Sequence, residues 1–160
     1  AYDYRGTAGA LVRRAKLDRD PAALGLLGDA ICRGLPRRCP RYRRAVVVPV
    51  PLARAKRRRR GFNQAEVLAE RLARRLDVPS VRALRRVRDT ATQGSQTSIA
   101  ARQANVAGAF ALRWSAGRRA SPHVVLVDDV ATSGATLCEC ARVLRRAGCG
   151  RIDAIVFARA

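Results

Sequence analysis

Two adjacent acids follow a run of apolar residues near the C-terminal end of the chain. Asp128 and Asp129 come directly after residues 124–127, whose four apolar side chains are typical of a buried strand. A carboxylate repels phosphate but accepts hydrogen bonds from sugar hydroxyls and attracts Mg²⁺. The pair therefore predicts a ribose diol as its partner, with Mg²⁺ held indirectly, through ribose hydroxyls or through water.

The segment after the acids has the residue types of a phosphate-binding turn. Its members are Ala131, Thr132, Ser133, Gly134, Ala135 and Thr136. A helix is predicted to begin here, and the free N–H groups and dipole of a helix N-terminus favour an anion. The hydroxyl groups can donate to phosphate oxygens, and glycine lets the backbone approach closely. Each feature alone is more often a solvated turn or a helix cap, whereas the whole string predicts a phosphate site.

Alternating strands and helices are predicted to position these groups. Strands are predicted at 45–50, 81–87, 109–114, 123–127 and 152–157, and helices at 8–16, 22–35, 63–76, 98–106 and 135–147. The first two helices are separated at Asp20-Pro21, and residues 128–134 are predicted to be a loop. This order predicts an α/β fold with a parallel sheet covered on both faces. Ligands of such sheets bind beyond the carboxyl ends of the strands, where the acids lie.

The helix at 63–76 has the clearest boundaries. Asn63 and Glu66 have the spacing of a capping box, and residues 77–79 end the helix. Its apolar stripe consists of Ala65, Leu68, Leu72, Ala73 and Leu76. Residues 53–60, which precede it, are predicted to be a very basic connection, and residues 89–97 a polar loop.

The chain is strongly basic. Its 160 residues contain 33 lysines and arginines but only 12 acids, which gives a net charge of +21. Lys16 and Lys56 are the lysines, and every other basic residue is arginine. A GC-rich genome explains such a bias, and so does a polyanionic partner, either a phosphate-rich small molecule or nucleic acid. Both explanations stay open.

The cysteines and the apolar pattern bear on location. Five cysteines, an odd number, with neither a signal-peptide core nor an 18-residue apolar run, predict reduced thiols in the cytoplasm and no membrane insertion. Cys138 and Cys140 are predicted to point to different sides of one helix, so they cannot share a metal. His123, at the start of its strand, is predicted to be a structural rather than a catalytic histidine.

Several short motifs together resemble one family. Residues 124–136 (VVLVDDVATSGAT) resemble the phosphoribosyl-diphosphate (PRPP) signature of type I phosphoribosyltransferases, and the likeness to the competence-protein ComF branch covers most of the chain. The other matching pieces are YRG at 4–6, VPVPL at 48–52, RGFNQA at 60–65, RDT at 88–90 with Gln93, and Arg102, Asn105, Gly108 and Phe110. Relatives of this branch usually begin with a cysteine-rich zinc-binding segment, which these residues do not contain.

The resemblance implies a fold and a set of roles. The expected fold is that of a type I phosphoribosyltransferase, with a central, mostly parallel sheet flanked by helices (45–160) and a small N-terminal helical hood (1–44). It implies that Asp128 and Asp129 hold the ribose hydroxyls and that residues 131–136 hold the 5′-phosphate. The implied pyrophosphate segment includes Pro51, Leu52, Arg60 and Gly61, and the implied flexible loop includes Arg88, Thr90 and Gln93. Arg60 is a bidentate donor, and Gly61 is expected to offer an unobstructed amide to pyrophosphate.

Three functions follow as alternatives. The first is transfer of phosphoribose from PRPP, with Mg²⁺, to an unidentified nitrogen acceptor, releasing pyrophosphate. The second is a competence or DNA-uptake factor that binds single-stranded DNA or protein partners, keeps a regulatory or vestigial PRPP site and uses residues 54–60 as its contact strip. The third is a PRPP sensor without catalysis. A homodimer is left open.

Overall fold

Four parallel strands form the central sheet. The computed structural model describes residues 1–18, 20–90, 98–113 and 121–160. Its strands are β1 (Tyr2–Asp3), β2 (Ala45–Pro49), β3 (Leu84–Arg86), β4 (Phe110–Leu112), β5 (His123–Ala131) and β6 (Arg151–Arg159). Its α-helices are α1 (Gly6–Arg13), α2 (Pro21–Arg33), α3 (Arg54–Arg60), α4 (Gln64–Leu76), α5 (Ile99–Val106) and α6 (Ala135–Arg146). The central order is β1-β6-β5-β2, and all its pairings are parallel, as the sequence predicts.

Side chains of the middle strands alternate between two cores. Val47, Val125 and Val127 pack on one face with buried residues of α1, α2 and α4, among them Val12, Leu27, Leu68 and Leu72. Val48, Val124 and Leu126 pack on the other face with Val106, Phe110, Cys140 and Leu144. Because successive strand residues point to opposite faces, uninterrupted apolar runs are what a sheet covered on both sides requires. The prediction of a doubly covered sheet is confirmed.

The N-terminal helices are separated where the sequence predicts. The side chain of Asp20 accepts hydrogen bonds from the N–H groups of Ala22 and Ala23, and Pro21 occupies the first helical position of α2. Helix α1 does not simply stop, because it continues into a π-helical turn (Arg14–Asp18). That turn has a role in the site described below.

Helix α4 confirms its predicted stripe but only half of its predicted cap. Ala65, Leu68, Leu72, Ala73 and Leu76 are all buried. Asn63 Oδ1 accepts from the Ala65 N–H at 3.2 Å, whereas Glu66 lies 2.9 Å from Arg57 and 3.1 Å from Arg82. The capping-box interpretation of Glu66 is therefore wrong, since two arginines bind its carboxylate instead.

Three predicted segments differ in the structure. The basic connection is helical, as α3, since arginine is a good helix former. Within 81–87 and 109–113, the described part of two predicted strands, the strand residues are those of the short antiparallel pair β3–β4. Strand β5 extends through both acids to Ala131, because β6 pairs with it as far as Ala131 opposite Arg159. The loop predicted at 128–134 is therefore shorter than expected.

No helix within the described ranges has the length and apolar character needed to cross a lipid bilayer.

Candidate active site

A cleft of about 310 Å³ lies beyond β2 and at the end of β5, and seven of the predicted site residues line it: Pro51, Leu52, Arg60, Thr90, Asp128, Asp129 and Thr136. It is lined by Lys16, Val50, Pro51, Leu52, Lys56, Arg60, Asn63, Gln64, Ala65, Arg86, Thr90, Asp128, Asp129, Val130 and Thr136. Its walls therefore come from the ends of two strands, from α3 and α4, and from the N-terminal π-helical turn. This is the edge at which parallel α/β sheets bind ligands.

Asp128 lies in the cleft, and burial disfavours the ionised form of its carboxyl group. Burial raises the pKa of Asp128 well above its ordinary value, and the neighbouring charge of Asp129 raises it further. The N–H of Asp129 donates to Asp128 Oδ1 at 2.8 Å and offsets part of that effect. A bound cation or a set of sugar hydroxyls would favour the charged form of this carboxyl.

Asp129 has a different partner. Its Oδ1 lies 3.0 Å from Lys16 Nζ, and the side chains of Asp129 and Lys16 are 10% and 23% exposed, respectively. The two carboxylates thus share the cleft but not their surroundings, since Asp129 is paired with an ammonium group.

The predicted phosphate turn is open at the position where the chain needs glycine. Gly134 has φ +75°, a left-handed conformation, and a Cβ placed there would meet nothing within 4 Å. The first turn of α6 contains no acidic residue, so its N-terminus keeps its attraction for anions. Thr136 lines the cleft, whereas Ala131, Thr132, Ser133, Gly134 and Ala135, which connect it to the lining residue Val130, are not lining residues themselves.

Pro51, Leu52 and Arg60 line the cleft, as expected for the pyrophosphate segment. Arg60 Nη1 donates to Gln64 Oε1 at 3.3 Å, while its buried Nε has no acceptor among the described residues. Burial lowers the pKa of the Arg60 guanidinium, and the negative charge of nearby Asp129 offsets part of that decrease. A buried donor without an acceptor is costly, so this side chain is suited to an anionic ligand.

The expectation that the Gly61 amide is unobstructed is wrong. It caps the C-terminus of α3 with φ +81°, and its N–H donates to the carbonyl oxygen of Arg57 at 2.8 Å. The amide that seemed unobstructed is used by the helix end, a common fate of glycine at this position.

The residues assigned to the flexible loop are separated in the structure. Thr90 lines the cleft and accepts a hydrogen bond from Arg86. Arg88 donates to the carbonyl oxygens of Asn105 and Ala107, at 2.9 and 2.7 Å, and so holds the end of α5. Gln93 lies outside the described residues.

Several cleft residues were not predicted as site residues: Lys16, Lys56, Asn63, Gln64 and Arg86. Asn63 is the most informative structurally, because its Nδ2 donates to the Val50 carbonyl oxygen at 3.0 Å while its Oδ1 caps α4. One buried side chain thereby ties the end of β2 to the start of α4. The rarity of lysine in this chain is a sequence signal that could have identified Lys16 and Lys56.

Asp128 and Asp129 fit a Mg²⁺ ion that arrives with its ligand. Magnesium prefers oxygen ligands and is often held by one or two carboxylates together with substrate phosphates and water. In the part of the chain that the structure describes, no cluster of three or more His, Cys, Asp or Glu side chains could hold a metal. The protein would then supply only part of the coordination, and the phosphates and water would supply the rest.

Two structural predictions made for other polar residues are confirmed. His123 Nε2 lies 3.1 Å from Asp153 Oδ2, at the opposite end of β5 from the acids, so the histidine is structural. Cys138 is exposed and Cys140 is buried, as expected for two positions on different sides of α6.

Comparison with known sequences identifies a family and several relatives of this chain. A model of the phosphoribosyl transferase domain matches residues 63–160. Competence protein F of Haemophilus influenzae is 40% identical over 115 residues, covering 71% of this chain and 50% of that protein. DNA utilization protein YhgH of Escherichia coli K12 is 39% identical over 108 residues, covering 67% of this chain and 46% of that protein. The chain spans about half the length of these curated relatives.

Solved structures share the fold at low sequence identity. An orotate phosphoribosyltransferase from Aeropyrum pernix aligns with a TM-score of 0.50 at 17% identity, over 96% of this chain and 93% of its own. The allosteric regulatory enzyme of purine biosynthesis aligns with a TM-score of 0.52 at 21% identity, over 82% of this chain and 24% of its own. With its parallel sheet, its cleft and its match over residues 63–160, the chain belongs to the phosphoribosyl transferase family, and its sequence is similar to that of competence protein F.

Proposed function

We propose that this protein binds PRPP with Mg²⁺ and transfers the phosphoribosyl group to a nitrogen nucleophile, with release of pyrophosphate. The observation that carries the proposal is one cleft in which two adjacent carboxylates, Asp128 and Asp129, accompany Arg60, whose buried Nε has no acceptor among the described residues. Carboxylates suit the ribose diol, and a guanidinium suits a diphosphate.

The roles follow from the charges along the cleft. Asp128 and Asp129 accept hydrogen bonds from the ribose hydroxyls, and the turn from Ala131 to Thr136 binds the 5′-phosphate with backbone N–H groups and hydroxyls. Arg60, with Pro51 and Leu52 beside it, holds the pyrophosphate. Bound Mg²⁺ would neutralise charge on the phosphates.

Transfer requires little proton chemistry. The bond from the anomeric carbon to the pyrophosphate oxygen breaks and its electron pair leaves with the pyrophosphate. The nitrogen lone pair forms the new bond, and the proton on that nitrogen is then lost to water. Arg60 stabilises the negative charge that grows on the leaving group, and the protein holds the reacting atoms in line.

Calorimetry with PRPP tests this proposal. We expect saturable binding in the presence of Mg²⁺ and a loss of affinity of about tenfold or more when EDTA removes the metal. Incubation with a panel of nitrogen nucleophiles is expected to release pyrophosphate in proportion to the ribosylated product. Absence of PRPP binding would overturn the proposal, whereas binding without turnover across the panel would favour a PRPP sensor.

Single-stranded DNA is a second candidate ligand, favoured by an arginine-lined cleft beside the first. This arginine cleft, of about 290 Å³, is lined by Pro49, Pro51, Leu52, Arg54, Arg57, Glu66, Arg82, Leu84, Arg85, Arg86 and Arg113. Glu66 binds two of these arginines and leaves an excess of positive charge. Helix α3 thus serves both clefts, with Arg54 and Arg57 on one and Lys56 and Arg60 on the other. Competence and DNA-utilization proteins are among the relatives, which supports a polynucleotide here.

The arginine cleft predicts a charge effect that depends on position. We expect the double variant Arg85→Gln/Arg113→Gln to bind labelled oligo(dT) about tenfold more weakly in fluorescence anisotropy. The slope of log affinity against log salt should fall by roughly 0.7 for each phosphate that the variant no longer neutralises. The control Arg43→Gln/Arg44→Gln removes equal charge from exposed residues that precede β2. Equal losses of affinity in the two double variants would contradict the prediction, because affinity would then follow net charge alone.

A further inference from the structure

Both lysines of the chain line the cleft that contains Asp128 and Asp129. Four basic residues line this cleft among those described: Lys16, Lys56, Arg60 and Arg86. Two of the four are lysines, whereas every basic residue of the chain other than Lys16 and Lys56 is arginine. The two ammonium groups of the chain therefore lie in one cleft, where a compact, flexible cation differs chemically from a planar guanidinium.

Lys16 reaches the cleft because the N-terminal segment is locked in place. It lies in the π-helical turn after α1, a feature that is frequent at functional sites. The preceding residue, Ala15, is fully buried, and its carbonyl oxygen accepts from Gln64 Nε2 at 3.5 Å. Gln64 itself lines the cleft, so the turn is fixed to the wall that it serves.

The ammonium of Lys16 binds a group that the proposed ligand needs. Lys16 Nζ lies 3.0 Å from Asp129 Oδ1, and Asp129 is a proposed acceptor for the ribose diol. A diol that binds both oxygens of the Asp129 carboxylate competes with this ion pair for Oδ1. An ammonium on a flexible four-carbon stem can change partners, whereas arginine would hold the carboxylate with two parallel hydrogen bonds.

The surroundings supply a reason for the ammonium to move. Burial lowers the pKa of Lys56, and the nearby charges of Arg86, Arg60 and Lys16 lower it further. These cations crowd one wall without an equal number of acids. A diphosphate bound there would attract each of them, Lys16 included.

We propose that Lys16 is an exchangeable counter-ion, which holds Asp129 while the cleft is empty and transfers to a pyrophosphate oxygen when PRPP binds. The exchange frees Asp129 for the ribose hydroxyls and adds one cation to the pyrophosphate. Lys16 thereby distinguishes PRPP from ribose phosphates that lack the diphosphate. This inference rests on the proposed PRPP function.

The variant Lys16→Gln tests the exchange with two ligands, measured by calorimetry with Mg²⁺. We expect PRPP affinity to fall about tenfold or more, since a charge-assisted hydrogen bond is removed. Affinity for ribose 5-phosphate should stay equal or rise, because this ligand has no diphosphate for Lys16 and only breaks its ion pair. Lys16→Arg preserves the charge and is expected to lower the affinity for both ligands, because the guanidinium would bind the Asp129 carboxylate with two hydrogen bonds.

A neighbouring residue provides the matched control. Arg14 lies in the same π-helical turn, is 65% exposed and pairs with Asp20 outside the cleft. Arg14→Gln removes the same charge and is expected to leave both affinities within about twofold, and thermal melts report whether each variant folds.

The outcomes separate the two proposals. If the wild type binds both ligands and Lys16→Gln weakens them equally, or weakens neither, the exchange is wrong while the PRPP site stands. If the wild type binds neither ligand, the proposed function is overturned and the exchange with it.

Discussion

Replacing Asp128 by asparagine is expected to remove PRPP binding while making the ligand-free protein more stable. Asparagine keeps an oxygen that can accept the Asp129 N–H, which donates to Asp128 Oδ1 at 2.8 Å. It removes a charge whose burial raises the pKa of Asp128, with the Asp129 charge as a second cause. We expect calorimetry with Mg²⁺ to show a loss of affinity for PRPP of about 100-fold, which is the usual effect of removing a charged hydrogen-bond partner from a buried site.

The pH dependence of this effect has a definite sign. Because folding raises the pKa of the Asp128 carboxyl above 3.8, the folded state binds more protons than the unfolded state between the two pKa values. Wild-type stability from this group therefore falls as pH rises through that window. Above the raised pKa, the melting temperature of Asp128→Asn should exceed that of the wild type by about 5 °C, with the difference vanishing below pH 3.8.

Asp153→Asn is the matched control on the neighbouring strand. Burial raises the pKa of Asp153, but hydrogen bonds from His123 and Arg151 outweigh burial and hold this pKa below 3.8. Its carboxylate stabilises the fold above pH 3.8, so the control should melt at a lower temperature than the wild type and still bind PRPP. An Asp128→Asn variant that binds PRPP normally, or that melts lower than the wild type at neutral pH, would contradict the prediction.

Arg60→Gln is expected to lower the affinity for PRPP by about 100-fold and the affinity for ribose 5-phosphate by less than about threefold. The reason is that Arg60 is the guanidinium proposed for the pyrophosphate, which ribose 5-phosphate lacks. Folding should not suffer, because the variant removes a buried Nε without an acceptor among the described residues. Calorimetry with the two ligands measures the ratio directly.

Arg58→Gln is the control for the same helix. Arg58 is exposed on α3 and lines neither of the two clefts, so its removal changes net charge without changing the site. If Arg60→Gln and Arg58→Gln lose similar amounts of affinity, the proposed contact between Arg60 and pyrophosphate is wrong. It is also wrong if Arg60→Gln loses equal affinity for the two ligands.

The fold and the acids could be predicted because their signals are local. The apolar run before Asp128 and Asp129 specifies a buried strand without reference to the rest of the chain. The end of that strand at Ala131 depends instead on its pairing with β6. The stripe of α4 has a 3.6-residue period, which only a helix buries on one face. Both features depend on residues that are near one another in sequence.

The residues that sequence reasoning missed depend on tertiary contacts. Lys16 reaches Asp129 across more than a hundred residues, through a π-helical turn that no residue pattern announces. The error at Gly61 has a local cause instead. A run of arginines favours a helix, and a helix that ends at glycine uses the glycine amide for its own last carbonyl groups.

Strand β2 occupies a place that limits how the molecule can be divided. It pairs with β5 over five consecutive residues, from Ala45 opposite His123 to Pro49 opposite Val127. The match to the family model begins only at residue 63, so a fragment with those limits would leave the N–H and C=O groups on one edge of β5 without their β2 partners. Bare, flat, hydrophobic edges recruit other chains, so self-association would displace folding in such a fragment.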